Sequence, residues 1–439
     1  MNNPRLLTVL FASALAGHAI CASAQSAVVM SPEELFAAAE NHSRQLRPSF
    51  SSEEVARQDV RVAKAGRLPD INANLSLNYI GDGFTTRRDL SDYQKAPIPH
   101  FGSGLSINVS QPVYTGGAIT AGIEMAEHRL TASRFATELQ RDNIRFNLVG
   151  DYLDIYKYMN LRDVVDKNIS QARTVLSEMT ARHEHGTALQ NDITRYELLV
   201  SNLELQLTRI NNTIDILNHN LVTIAGFPAD ITVLPDTTIL SKALPMKQES
   251  EWQGEASASS PAIRLAESSR DISHTSERIA KAERLPKISL QAGWNIDGPI
   301  LVEIPPINRN LSYWYVGVGV SYNISSLYKT DKTIARSHAA SIHANDELAA
   351  VRENVEMGMR ADYVRYLESY EDLKTRQKSV ELAERNYNIT TTRYSADMAL
   401  LTDLLDAANS KLDAEQKLID ARINIIYYYY KLLFTSGKI

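Results

Sequence analysis

Two short segments hold the residues whose types and spacing come nearest to chemistry. His183-Glu184-His185-Gly186 gathers two imidazoles and a carboxylate, and Asp403 and Asp406 set two carboxylates three residues apart. On a helix an i,i+3 pair shares one face, where it can hold a cation or divide acid and base roles, although most such pairs are solubilising charge. Histidines two apart point to different faces of a helix; in a loop they could share a metal, yet no third ligand follows at a recognisable spacing. The chain has no G-x-S-x-G, no H-E-x-x-H and no P-loop, and Cys21 is its only cysteine. No catalytic residue, cofactor or metal is expected.

The elements that position these residues begin with an export signal. Arg5 precedes an apolar run over residues 6–16, and Ala22-Ser23-Ala24 then supplies an A-x-A site, so residues 1–24 read as a secretory signal peptide. A lipoprotein would need a small residue before Cys21, where Ile20 stands. Cleavage after Ala24 removes the cysteine, so no disulfide framework follows. The 439 residues carry 46 Lys+Arg against 52 Asp+Glu, a net charge of −6, which advertises no nucleic-acid surface. No later uncharged apolar run is long enough for a spanning helix, since Lys431 interrupts even residues 425–434. Any membrane crossing must use strands.

The remainder is one unit written twice. Arg67-Leu68-Pro69 recurs as Arg284-Leu285-Pro286, 217 residues on. Further along, Arg141, Asp151, Tyr152, Thr180 and Arg182 recur as Arg352, Asp362, Tyr363, Thr391 and Arg393, 211 residues on. The first repeat takes residues 25–226, a proline-bearing linker residues 227–259, and the second repeat residues 260–439.

Each repeat predicts two strands and two long helices. Alternation of apolar with small polar residues marks strands near 69–80, 103–114, 286–297 and 312–324. Tyr79, Phe101, Tyr114, Trp294 and Tyr313-Trp314-Tyr315 gather near strand ends, as an interfacial girdle would. Long helices are expected near 116–182, 189–226, 327–393 and 400–434. Ile193, Tyr196, Val200, Leu203, Leu207 and Ile210 keep a heptad seam, and Lys411 is an exception in the matching seam of the second repeat. A helix of ~65 residues is about 100 Å long, a rod that no single globular domain needs. Ser31-Pro32-Glu33-Glu34 is a capping box opening a shorter helix.

Four strands cannot stand alone in a bilayer. Their edges would bare N–H and C=O groups to hydrocarbon at several kcal/mol for each group. Identical neighbours must close the sheet, and three copies give a twelve-stranded wall with an aqueous pore, where two leave almost no lumen.

The duplicated strand–strand–long-helix plan resembles the TolC-like outer-membrane efflux proteins. So do the paired Leu-Pro strand starts, the segment Gln111-Pro112-Val113-Tyr114-Thr115-Gly116-Gly117, and an Arg393-Tyr394 turn followed by Asp403-Leu404-Leu405-Asp406-Ala407. The resemblance implies an α-dominated α+β membrane protein: a homotrimer with a 12-stranded outer-membrane β-barrel, continued by a long periplasmic α-helical barrel and belted by a small mixed α/β region. It implies an exit duct of a tripartite efflux pump that lies in outer-membrane lipid, docks a periplasmic adaptor protein and, through it, an inner-membrane transporter of RND, ABC or MFS type. A type I protein secretion outlet and a structural periplasmic coiled-coil protein are the alternatives.

By the same resemblance, Gly186, Thr187, Asp397 and Met398 are periplasmic tips that meet the adaptor, and Asp403 and Asp406 line the closed pore. Threefold symmetry would crowd six carboxylates there, favouring bound cations. Tyr394 matches a latch tyrosine with Asp192 as acceptor. Ala399 stands where the family has an arginine, so either the gate is held less tightly or Arg393 or Arg195 supplies that charge.

Overall fold

The computed structural model describes residues 26–236, 244–303 and 306–439; the expected signal segment lies outside them. The elements run β1 (Ser26–Met30), α1 (Pro32–His42), α2 (Arg47–Ala65), β2 (Asp70–Tyr79), β3 (Gly83–Thr85), β4 (Gln94–Ala96), β5 (Phe101–Tyr114), α3 (Ala118–Glu184) and α4 (Gln190–Ala225). There follow β6 (Ile231–Pro235), α5 (Glu249–Ser259), α6 (Pro261–Ala282), β7 (Lys287–Gly298), β8 (Leu311–Ser321), α7 (Ser326–Ser395) and α8 (Leu401–Ser436). Both offsets are visible in the element ends. Helices α3 and α7 end 211 residues apart, α4 and α8 begin and end 211 apart, and α2 and α6 end 217 apart. Gly226 and Gly437 close α4 and α8 with φ of 75° and 71°, a left-handed cap that suits glycine.

The four long strands form one antiparallel sheet in the order β2-β5-β7-β8. Its register sorts side chains by face. Ala73, Ile107, Trp294 and Trp314 lie in one row, and Leu75, Leu105 and Ile296 in another on the same side. The opposite side carries Asn74, Ser106, Asn295 and Tyr313 in one row and Asn108, Gly293 and Tyr315 in another. On that side the Tyr315 ring covers Gly293, where a Cβ would come within 2.5 Å of a ring carbon, and its hydroxyl donates to Asn108 Oδ1 at 3.3 Å. One face is thus apolar and the other polar and almost uncharged. Strand β2 is exposed along its whole length, and neither β2 nor β8 has a partner on its outer edge among the described residues. Among those residues no helix is long and apolar enough to cross a membrane.

The helices lie side by side. Toward the sheet, α3 packs on α2 and α6, and α6 on α7; toward the other end α3 packs on α4 and α8, and α7 on α8. The α4 seam residues Ile193, Tyr196, Val200, Leu203 and Ile210 are buried against Val165, Ile169, Ala172, Val175 and Met179 of α3. Lys411 is buried too. Its ammonium donates to Gln171 Oε1 on α3 at 2.8 Å and lies 5.0 Å from the Tyr387 ring centre, so the seam exception is a satisfied polar contact between helices.

Midway along the rods a belt wraps them. Strands β1 and β6 pair in parallel, and the capping box of α1 is formed, with Ser31 N–H donating to Glu34 Oε2 at 2.8 Å. Leu35, Ala39 and Leu46 pack on Leu148, Tyr152, Leu221 and Val233. Trp252 of α5 is fully buried against Met359, Tyr366 and Leu432. The linker therefore contributes a strand and a helix to the belt.

Candidate functional site

The ends of the α3–α4 and α7–α8 hairpins are built alike. Gly186 and Asp397 occupy equivalent positions with φ of 75° and 57°, the left-handed conformation that reverses the chain. Thr187 N–H donates to the Arg182 carbonyl at 2.9 Å and Met398 N–H to the Arg393 carbonyl at 2.7 Å. Thr187, Asp397 and Met398 are exposed. The ring of His183 donates through Nδ1 to the Ala188 carbonyl at 2.8 Å, so this imidazole staples the turn. No cluster of His, Cys, Asp and Glu positioned for a metal exists among the described residues.

One arginine joins the two tips. Arg182, from the end of α3, forms an ion pair with Asp397 and donates to the carbonyls of Tyr394 at 3.4 Å and Ser395 at 3.5 Å. Its guanidinium lies 5.9 Å from the Tyr394 ring centre. Burial raises the Tyr394 pKa, the charge of Asp192 raises it further, and Arg182 opposes the rise. Tyr394 and Asp192 are thus brought together, without a hydrogen bond between them in the single chain. Arg393 and Arg195, the arginines expected near the latch, are exposed and have no ion-pair partner among the described residues. Sequence reasoning passed over Arg182 because it treated the arginine only as the repeat mate of Arg393. Its signal was that Asp397 replaces Gly186, putting a carboxylate at the turn position where the other tip has glycine.

Asp403 and Asp406 lie in the first two turns of α8, both exposed. The Asp403 carboxylate turns back to accept the Leu400 N–H at 3.1 Å, so it also starts the helix. Their counterparts on α4, 211 residues earlier, are Asp192 and Arg195: the first position repeats its charge and the second inverts it. Behind the tips, Tyr196 and Tyr387 fill the space between the hairpins, and burial raises the Tyr196 pKa, with Tyr387 adding to the rise.

A second polar zone lies at the belt. Lys157 of α3 pairs with Asp420 of α8 at 2.8 Å, with Asp154 one turn away on α3. A groove of about 610 Å³ is lined in part by Asp151, Asp154, His219 and Asn220. Burial, reinforced by Asp154, pushes the Asp151 carboxyl up to about 6. Its repeat mate Asp362 accepts a hydrogen bond from Thr435 Oγ1 at 2.8 Å, a contact the first repeat lacks because Ile224 replaces the threonine.

Comparison with known proteins agrees with this architecture. The family model described as outer membrane efflux protein matches the chain in two segments, residues 35–226 and 252–427. The chain is 22% identical to the pyoverdine export outer membrane protein OpmQ of Pseudomonas putida, over 88% of this chain and 82% of that protein. It is 18% identical to the outer membrane protein TolC of Salmonella enteritidis, over 100% of this chain and 87% of that one. The crystal structure of the outer membrane protein VceC from Vibrio cholerae superposes with a TM-score of 0.76, covering 92% of this chain and 96% of that one at 15% identity. The chain belongs to the outer membrane efflux protein family, and is a channel component of the Gram-negative outer membrane rather than an enzyme.

Proposed function

We propose that three copies of this chain form the outer-membrane exit duct of a tripartite efflux pump, conducting substrates passively from an adaptor-linked inner-membrane transporter to the outside. The observation that carries this reading is the four-stranded sheet with one apolar face, one polar face and two open edges. A sheet of that kind is unstable in lipid unless β2 of one copy pairs with β8 of the next, and three copies close it at twelve strands. The apolar face then meets lipid, and Asn, Ser, Gly and Tyr side chains line the lumen. That lining offers hydrogen bonds to many solutes and fixed charge to few, so selectivity belongs to the transporter upstream.

The rods continue the duct into the periplasm. Helix α3, with 67 residues, is about 100 Å long, enough to reach an adaptor at its tip. The tips, with Gly186, Thr187, Asp397 and Met398, form the adaptor-facing end, and Asp403 and Asp406 the constriction behind it. The role of OpmQ in pyoverdine export supports export of a small molecule over secretion of a polypeptide.

The reading is tested by deletion and reconstitution together. Loss of the gene should sensitise cells to small toxic compounds, and the purified protein should form conducting pores in planar bilayers. A deletion that changes only the secretion of a polypeptide, or a protein that never conducts, would contradict it.

A further inference from the structure

The contact between α3 and α8 joins the two repeats within one chain. Leu153, Asp154 and Lys157 of α3 face Asp420, Ile423 and Tyr427 of α8 across a cavity of about 180 Å³. Lys157 bonds Asp420 at 2.8 Å, and Asp154 one turn away on α3 acts on the same ammonium, so one cation serves two carboxylates. Leu153 and Ile423 are buried.

The residues 211 positions away carry the opposite signs. Asp154 and Lys157 become Arg365 and Glu368 on α7, and Asp420 becomes Arg209 on α4. All three charges invert together, and the apolar pair Leu153 and Tyr427 becomes Val364 and Ile216. Within one chain Arg209 and Glu368 belong to the two outer rods, α4 and α7, while the charge of Arg365 acts on Asp362 and on Tyr427 of α8. Arg209, Glu368 and Arg365 are exposed and have no ion-pair partner among the described residues, while Val364 is 51% and Ile216 61% exposed. In the chain the rods follow the lateral order α4, α3, α8, α7, so a further copy set beside α7 presents its α4 first.

We infer that a second copy of this chain occupies the open flank of α7, its α4 packing there so that Glu368 pairs with the neighbour's Arg209 and Val364 meets the neighbour's Ile216. This deepens the trimeric reading above and rests on it. The seam between copies is the charge-reversed duplicate of the seam within a copy. The reversal has a consequence for assembly: α7 set against a neighbour's α8 in place of its α4 would place Glu368 opposite that copy's Asp420, two like charges. Alternation of the repeats around the ring is then enforced by repulsion as well as by attraction.

Cysteine pairs in the full chain test the seam directly. Under mild oxidation Glu368→Cys with Arg209→Cys should give bands of two and three covalently joined chains, as should Val364→Cys with Ile216→Cys. Lys157→Cys with Asp420→Cys should join within one chain and add no mass, and each single-cysteine variant should remain uncrosslinked. In parallel, Glu368→Arg should weaken the assembly, and adding Arg209→Glu should restore it. A sample that is trimeric by mass but crosslinks at neither inter-copy pair overturns the seam and leaves the trimeric reading standing. A sample that is monomeric by mass in mild detergent overturns both.

Discussion

Arg182 reaches from the end of α3 to the carboxylate of Asp397 in the α7–α8 turn, tying together the tips of the two helical hairpins. The equivalent link from the second repeat would run from Arg393 to Gly186 of a neighbouring copy, and glycine has no carboxylate to receive it. The contact between the two hairpins of one chain is therefore latched at the tip, and in the proposed trimer the contact between copies would lack that latch.

Removing the latch charge should open the duct. Asp397→Asn keeps a residue tolerant of the left-handed turn while deleting the ion pair. An exposed pair is worth about 0.2–1 kcal/mol, so three acting together shift the open–closed ratio by roughly 3- to 160-fold. Single-channel recordings of Asp397→Asn and of Arg182→Gln should show that increase in open time or conductance. Wild-type conductance in both would place the latch elsewhere.

The carboxylates of α8 should govern block by cations. Asp403 also accepts the Leu400 N–H, so an asparagine keeps an acceptor at the helix start where alanine keeps none. Asp403→Asn with Asp406→Asn should abolish block by polyvalent cations added from the periplasmic side while leaving helicity by circular dichroism unchanged. Persisting block would mean that cations bind at another level of the lumen.

Asp151 should make the belt sensitive to pH. Its folded pKa is raised to about 6 from 3.8 by burial and by Asp154. A carboxyl whose folded pKa is raised contributes stability that is fully present below its unfolded value and is lost as pH rises through the folded one. Asp151→Asn should therefore leave the melting temperature near pH 4 unchanged and raise it by a few degrees near pH 7.5, relative to wild type. An equal effect at both pH values would trace the change to packing rather than to ionisation.

The latch tyrosine gives a coupled prediction. Tyr394 and Asp192 sense one another without a hydrogen bond in the single chain, and the guanidinium of Arg182 sits over the same ring. Tyr394→Phe with Asp192→Ala should raise conductance modestly on its own and add little to Asp397→Asn, because both changes loosen one contact between hairpins. Full additivity in conductance would separate the two latches.

Much of this was legible before any coordinates. The constant offset, the period-two runs and the proline-free helical stretches placed every long element, because each rests on local pattern repeated twice. The second strand starts at Phe101, two residues before the alternation suggested, since its pairing with Tyr79 continues past the polar–apolar pattern. The parallel pair β1–β6 escaped notice because it joins segments some 200 residues apart, and short strands of this kind have no periodicity to read. Lys411 looked like a flaw in a heptad; only the helix packed opposite, with Gln171, shows why a lysine belongs there. The candidate site was legible in its turns and carboxylates, and illegible in Arg182, whose partner lies across a tertiary contact.

In the proposed trimer one chain supplies only a third of a membrane-spanning wall. Native mass spectrometry of the protein extracted from outer membranes in mild detergent tests it most directly. A single dominant species of three chains is expected, one that falls apart only with loss of its strand signal. A stable single chain retaining its full sheet content would contradict it.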